Sequence, residues 1–127
     1  MKTAAAGRTA RRRGYLAEAL CVLSLRLRGY RILARDLRTA ARGSGVGEID
    51  IVARRGRTLA FVEVKARPDR ATALEALRPS QQARIERGAR LFLARHPDLA
   101  VLDMRFDLMT VRPWRWPHHL ADAWRPD

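Results

Sequence analysis

Gly47-Glu48-Ile49-Asp50-Ile51-Val52-Ala53, then a turn at Arg54-Arg55-Gly56-Arg57, then Leu59-Ala60-Phe61-Val62-Glu63-Val64-Lys65, is the stretch that decides how the chain is read. Both arms are strand-length, alternating or continuously apolar and rich in β-branched residues, and the turn holds a glycine, so they predict an antiparallel hairpin. With Arg55 and Gly56 at its tip, Asp50 faces Phe61 and Glu48 faces Glu63. Glu48, Asp50, Glu63 and Lys65 then share one face, and Ile49, Ile51, Val62 and Val64 the other. A slip of one residue would expose the apolar face, and burial opposes it.

Three carboxylates beside one ammonium repel one another unless one takes up a proton or they share a cation. Mg²⁺ uses one or two carboxylates and fills its other positions with water and phosphate, which suits Asp50 and Glu63. The alternative is a solvated charged sheet face with Lys65 as counter-ion. Of 26 basic residues only Lys2 and Lys65 are lysines. An ammonium two residues after Glu63, in a chain that otherwise uses arginine, suits a role that needs a compact charge, such as positioning a water or neutralising a phosphorane-like transition state.

The Gly-Glu-Ile-Asp string followed by Phe-Val-Glu-Val-Lys resembles the Asp…Glu-x-Lys site of restriction-endonuclease-like nucleases. In detail it is similar to the small bacterial YraN-type (UPF0102) family, related in fold to archaeal Holliday-junction resolvases. The likeness runs from Gly14–Ala19 to Arg105-Phe106-Asp107 and so covers most of the chain. It implies an endonuclease that uses Mg²⁺ or Mn²⁺ on DNA, more than on RNA, and possibly on branched DNA. By this likeness Asp50, Glu63 and the Val64 carbonyl hold the metal, Lys65 orients the attacking water, and Glu18 reaches the site from the first helix. The resolvase likeness also points to a homodimer. One departure stands out: Gln81 occupies a position where relatives often carry lysine, so Arg84 compensates or that contact is weaker.

At 127 residues the chain is long enough for one core. Its net charge of +13 calls for a polyanionic partner, with nucleic acid first and an anionic membrane surface as the rival. No stretch has the length of an apolar membrane span. The lone Cys21 rules out a disulfide framework or a zinc ribbon and fits a reducing cytoplasm.

Residues 1–13 read as a flexible basic arm and 14–127 as a single nuclease-like domain. A helix from about Ala10 to Arg28 presents Leu16, Leu20, Leu23 and Leu27 as its apolar stripe, and Gly29 ends it. Within it Glu18 is an isolated acid that needs a partner or a proton; an arginine nearby is the plain alternative to the role the family implies. Tyr30–Leu37 reads as a strand, and the glycine-rich Thr39–Gly47 as a mobile loop. After Lys65 a loop carries Arg67 and Arg70, which either contact phosphates or are simply solvated. Pro79-Ser80 opens a helix with Ile85, Ala89, Phe92 and Leu93 on its apolar face, and Pro97 stops it.

Leu102–Val111 alternates as a last strand, with Arg105 and Asp107 paired with each other or with the neighbouring strand. Trp114, Trp116 and Trp124, interleaved with Arg112, Arg115 and Arg125, either cap a core edge or dimer contact, or stack bases. His118-His119 lacks the spaced partners of a zinc site. The fold expected is α/β: a restriction-endonuclease-like core of helix, three strands, helix and strand with a mixed sheet. The alternative to an endonuclease is a non-catalytic nucleic-acid-binding protein whose acidic site is vestigial.

Overall fold

The computed structural model describes residues 4–41, 45–66 and 69–126; the side chains of residues 4–15, 39–41, 45 and 70 are outside the description. Helix α1 (Ala4–Leu27) leads into strands β1 (Arg31–Ala41), β2 (Gly45–Arg55) and β3 (Thr58–Ala66). Helices α2 (Arg70–Ala76) and α3 (Pro79–Arg95) follow, then a 3-10 turn (Pro97–Val101) and strands β4 (Asp103–Val111) and β5 (His118–Trp124). The sheet runs β1-β2-β3-β4-β5, with β3 and β4 parallel and every other pair antiparallel. The expected mixed-sheet α/β architecture is therefore present. It gains a fifth strand and a short helix between Lys65 and Pro79 where a loop was expected.

Helix α1 begins at Ala4, so most of the stretch read as a basic arm lies inside it; alanine and arginine are among the strongest helix formers. It stops where expected. Gly29 has a φ of 88°, and the Gly29 and Tyr30 N–H groups donate to the Arg26 and Leu25 carbonyls at 3.0 Å, which is the Schellman closure that glycine permits. The loop expected over Thr39–Gly47 is shorter than read: β1 runs to Ala41 and β2 starts at Gly45, while residues 42–44 lie outside the described residues.

The central hairpin is real, but its register differs by two residues. Arg55 pairs with Thr58, so the turn is Gly56-Arg57, and Gly56 has a φ of 60°, the first-position glycine that a type II′ turn demands. Ile51 pairs with Val62, and the next opposition brings Asp50 to Glu63, where Phe61 had been expected. Parity is preserved by a two-residue change, so Asp50 and Glu63 still meet.

The sheet separates two cores. On one side α2 and α3 cover Val52, Leu59, Phe61, Phe106 and Leu108; on the other α1 covers Ile51, Ala53, Ala60, Val62 and Met109. Ile49 was expected beside Ile51 and instead belongs to the α3 side. The cause lies at Asp50. Regular β2–β3 pairing ends at Ile51, and the Asp50 carboxylate accepts the Val64 N–H at 2.8 Å. The strands part there, and Ile49 turns to the opposite face.

Helix α3 lies against β2 at a glycine–glycine crossing. A Cβ on Gly47 would stand 2.5 Å from the Gly88 nitrogen, so only glycine permits this approach. The closeness matters for what lies two turns up the helix, where Gln81 reaches the site.

The apolar stripe expected to bury α1 does not do so. Ala17, Cys21, Val22 and Leu25 face the sheet, whereas Leu16, Leu20, Leu23 and Leu27 face outward. From Leu16 to Leu25 the helix is apolar nearly all round, and most of the residues that face the sheet are the smaller ones. Among the described residues no helix is long and apolar enough to cross a membrane.

Candidate active site

Where β2 and β3 part, four side chains meet. Asp50 and Glu63 come from the two strands, Lys65 from the end of β3 and Glu18 from the buried face of α1. Lys65 Nζ lies 3.3 Å from Glu63 Oε1, and Gln81 Nε2 donates to that oxygen at 3.4 Å. Asp50 holds the Val64 N–H, which fixes its carboxylate against the backbone of β3. Asp50, Glu63 and Lys65 are thus brought together, with Lys65 and Gln81 both on the Glu63 carboxylate.

Glu18 has an arginine partner and also lies beside Asp50. Its Oε1 accepts from Arg35 Nε at 3.2 Å, and its carboxylate also clusters with those of Asp36 and Asp50, one oxygen from each lying within 4.8 Å of the others. Among the described residues this is the one group of three or more acids, histidines or cysteines close enough to share a metal ion. Glu63 lies outside it, on the Lys65 and Gln81 side of Asp50. Asp50 belongs to both groups.

Asp36 was missed by sequence reasoning. The available signal was its isolation: it is the only carboxylate between Glu18 and Glu48 in a strongly basic stretch. Its backbone has a φ of 49°, left-handed for a non-glycine residue, and β1 carries a register shift between Ile32 and Ala34. A strand that leaves regular geometry cannot be phased from alternation alone.

Electrostatics mark the site. Burial, followed by the Asp50 charge, pushes Glu63 up to about 8 against the pull of Lys65. Burial and Asp36 push Glu18 up to about 7. Asp50 is also raised, mainly by burial, although the Val64 N–H and Lys65 oppose the shift. Acids held in this way at neutral pH must share protons or a cation, and perturbed carboxylates gathered in one place are a signature of functional sites. Cys21, beneath them, is inert by comparison: burial, Asp50 and Glu18 push its thiol up to about 12, far from the thiolate that a nucleophile needs.

The donor set fits a hard divalent cation. Among the described residues it offers carboxylate oxygens, with a half-buried ammonium and an amide at its edge and no soft ligand in the cluster. The same set fits zinc poorly, since no histidine or thiolate takes part.

The remaining predicted contacts separate. Arg84 NH2 donates to Glu48 Oε1 at 3.3 Å, and Arg38 binds the same oxygen at 2.8 Å, so Glu48 is neutralised at the rim and stands apart from the site. Arg67 lies outside the described residues. Arg70 opens α2, and its side chain is not described.

Downstream, Arg105 grips Asp107 with two bonds of 2.7 and 2.8 Å, as expected. The same buried carboxylate accepts from His119 Nε2 at 2.7 Å and the Asp122 N–H at 3.0 Å. His119 is therefore a strut between β4 and β5. Trp124 stacks on Phe106 and closes the core edge, while Trp114 and Trp116 remain exposed.

Residues 17–111 match the model of the uncharacterised protein family UPF0102, a span that begins just before Glu18 and ends with β4. A UPF0102 protein of Paramagnetospirillum magneticum is 56% identical over 96% of this chain and 94% of its own length. One from Parvibaculum lavamentivorans is 57% identical over 96% and 88%, and one from Methylocella silvestris 49% identical over 97% and 95%. The chain belongs to the UPF0102 family.

Proposed function

We propose that this protein is a metal-dependent endonuclease that hydrolyses phosphodiester bonds in DNA, branched DNA included. The observation that carries the reading is the meeting of Asp50, Glu63 and Lys65 where β2 and β3 part, with Glu63 held up to about 8 beside a half-buried ammonium. A purely structural charge network would pair each acid with a base. Here Arg35 reaches Glu18 and Lys65 reaches Glu63, yet both acids and Asp50 between them stay raised, and the arrangement costs stability unless a cation joins it.

Asp50 and Glu63, with the Val64 carbonyl, would hold Mg²⁺ or Mn²⁺, and Glu18 would support the site from α1. When bound, the cation supplies Lewis-acid polarisation of the scissile phosphate and makes a bound water acidic enough to attack. The protein's own groups do the rest. The Val64 N–H fixes one Asp50 oxygen, so the carboxylate is oriented before substrate arrives. Lys65, half-buried beside Glu63, orients the attacking water and offers an ammonium to the charge that grows on the phosphate oxygens. Gln81 supplies a neutral donor at the same carboxylate, and Arg84 neutralises Glu48 so that it does not repel the substrate backbone. The net charge of +13 draws the polyanion in. A buried, protonated Cys21 suits a reducing cytoplasm.

The test compares wild type with Lys65→Met on labelled duplex and branched DNA, with binding and cation uptake measured beside cleavage. The reading expects Lys65→Met to bind DNA and cation nearly as wild type does and to lose at least a hundredfold in cleavage rate. Equal cleavage by both proteins would remove Lys65 from the chemistry, and no cleavage by wild type with either cation would favour a non-catalytic DNA-binding protein.

A further inference from the structure

Helix α1 carries two apolar stripes, and only one is used within the chain. The other, Leu16, Leu20, Leu23 and Leu27, is 57, 38, 47 and 70% exposed. At its N-terminal end the stripe opens into a groove of about 850 Å³ whose walls include Leu16, Leu20, Val111, Trp114 and Trp116. Trp114 is fully exposed and Trp116 more than half so. Monomeric proteins rarely leave a contiguous apolar surface of this kind to water.

We propose that this face docks a second copy of the chain, helix against helix about a two-fold axis. The stripe is spaced four, three and four residues apart, the seam spacing of paired helices, and it reads the same in both directions. In an antiparallel pairing Leu16 meets the partner's Leu27, and Leu20 meets the partner's Leu23. A two-fold interface requires such self-complementarity.

The centre of the seam is also free of opposing like charges. Between Leu16 and Leu25 the only charged residue is Glu18, which is buried on the opposite side of the helix. Arg26 falls opposite the partner's Ala17. The area suffices as well: at roughly 250 Å² for a whole tryptophan side chain, Trp114 and Trp116 offer about 400 Å². The four leucines bring the face to the order of the 800 Å² that each partner gives a standard interface.

Two chains of charge +13 repel one another through solvent, and salt screens that repulsion without weakening an apolar seam. Salt should therefore tighten the dimer, the reverse of its effect on nucleic-acid binding. Leu16 and Ala17 directly precede Glu18, so docking would steady the helix turn that carries this acid.

Sedimentation equilibrium on protein freed of nucleic acid tests the proposal, using wild type, Leu20→Glu/Leu23→Glu and Trp114→Ala. Wild type should reach twice the 14.4 kDa mass of one chain, more readily at higher salt. The double variant should remain monomeric with an unchanged circular dichroism spectrum, and Trp114→Ala should weaken the dimer at least threefold. Should the double variant misfold, Trp114→Ala at its exposed turn decides. Wild type that stays monomeric, or dimers that both variants leave intact, would overturn the proposal. So would monomeric wild type that binds phosphatidylglycerol vesicles through the same leucines, which would make the face a lipid-binding surface. Association is read without cleavage or metal, so an inactive site would not affect the outcome.

Discussion

Replacing Asp50 with asparagine should stabilise the protein while disabling it. In the folded state Glu63 is pushed up to about 8 from an ordinary value near 4.5 by burial and then by Asp50. The folded protein therefore binds more protons than the unfolded chain between those values, and its stability falls as pH rises through that window. At about 1.4 kcal/mol per unit, ionising Glu63 alone costs the folded state about 3–5 kcal/mol by pH 8. Glu18, raised to about 7, adds to the slope in the lower part of the window.

Asparagine keeps the acceptor for the Val64 N–H and removes both a buried charge and the repulsion on Glu63. Metal-free Asp50→Asn should gain on the order of 1–2 kcal/mol at pH 8, or about 5 °C in Tm. Thermal melts by circular dichroism from pH 5 to 8.5, in chelator and then in Mn²⁺, measure this directly. Wild type should lose Tm with rising pH in chelator and recover it with Mn²⁺ as cation binding to the folded state stabilises it; Asp50→Asn should show a shallower slope and no recovery. A wild-type Tm that is flat across this range, or an Asp50→Asn variant less stable than wild type at pH 8, would refute the reasoning.

Other expectations follow from the packing. Gly47→Ala sets a methyl 2.5 Å from the Gly88 backbone, so α3 must lift from β2 at a cost of about 1–3 kcal/mol or more, read as a lower urea midpoint. Asp107→Asn leaves Arg105 in a buried setting without its counter-charge and should cost about 3–5 kcal/mol by the same measurement. The hydrogen bonds from His119 and Arg105 hold Asp107 below its usual range despite burial. Its contribution is thus present above the usual carboxylate range and is lost as pH falls through its lower folded value, so acid unfolding should occur at higher pH in any variant that already lacks Arg105.

The fold was legible where local rules and burial agree. The hairpin from Gly47 to Lys65 carries period-2 patterning and a turn glycine, and even with a register error of two residues the reading kept Asp50 and Glu63 on one face. Gly29 and Pro97 ended their helices through backbone chemistry that does not depend on the rest of the chain.

Elsewhere sequence pattern and packing diverged. Leucine spacing marked a real stripe on α1 but not the one that meets the sheet, because Ala17, Cys21 and Leu25 form a second stripe that hydrophobicity alone ranks lower. Asp36 escaped notice because β1 leaves strand geometry beside it, and Ile49 changed face because Asp50 ends the β2–β3 ladder. Strand β5 was hidden in a tryptophan- and histidine-rich tail whose pairing with β4 shifts register beside Asp107 and so leaves no regular alternation to read.

The most direct test of the central claim is cleavage of end-labelled duplex and branched DNA in Mg²⁺ or Mn²⁺ by wild type and by Glu63→Ala, with DNA binding measured on the same preparations. The account predicts metal-dependent nicking by wild type that falls at least a hundredfold in Glu63→Ala while binding survives. Cleavage that persists in Glu63→Ala, or wild-type protein that binds these DNAs and cuts none of them in either metal, would contradict it.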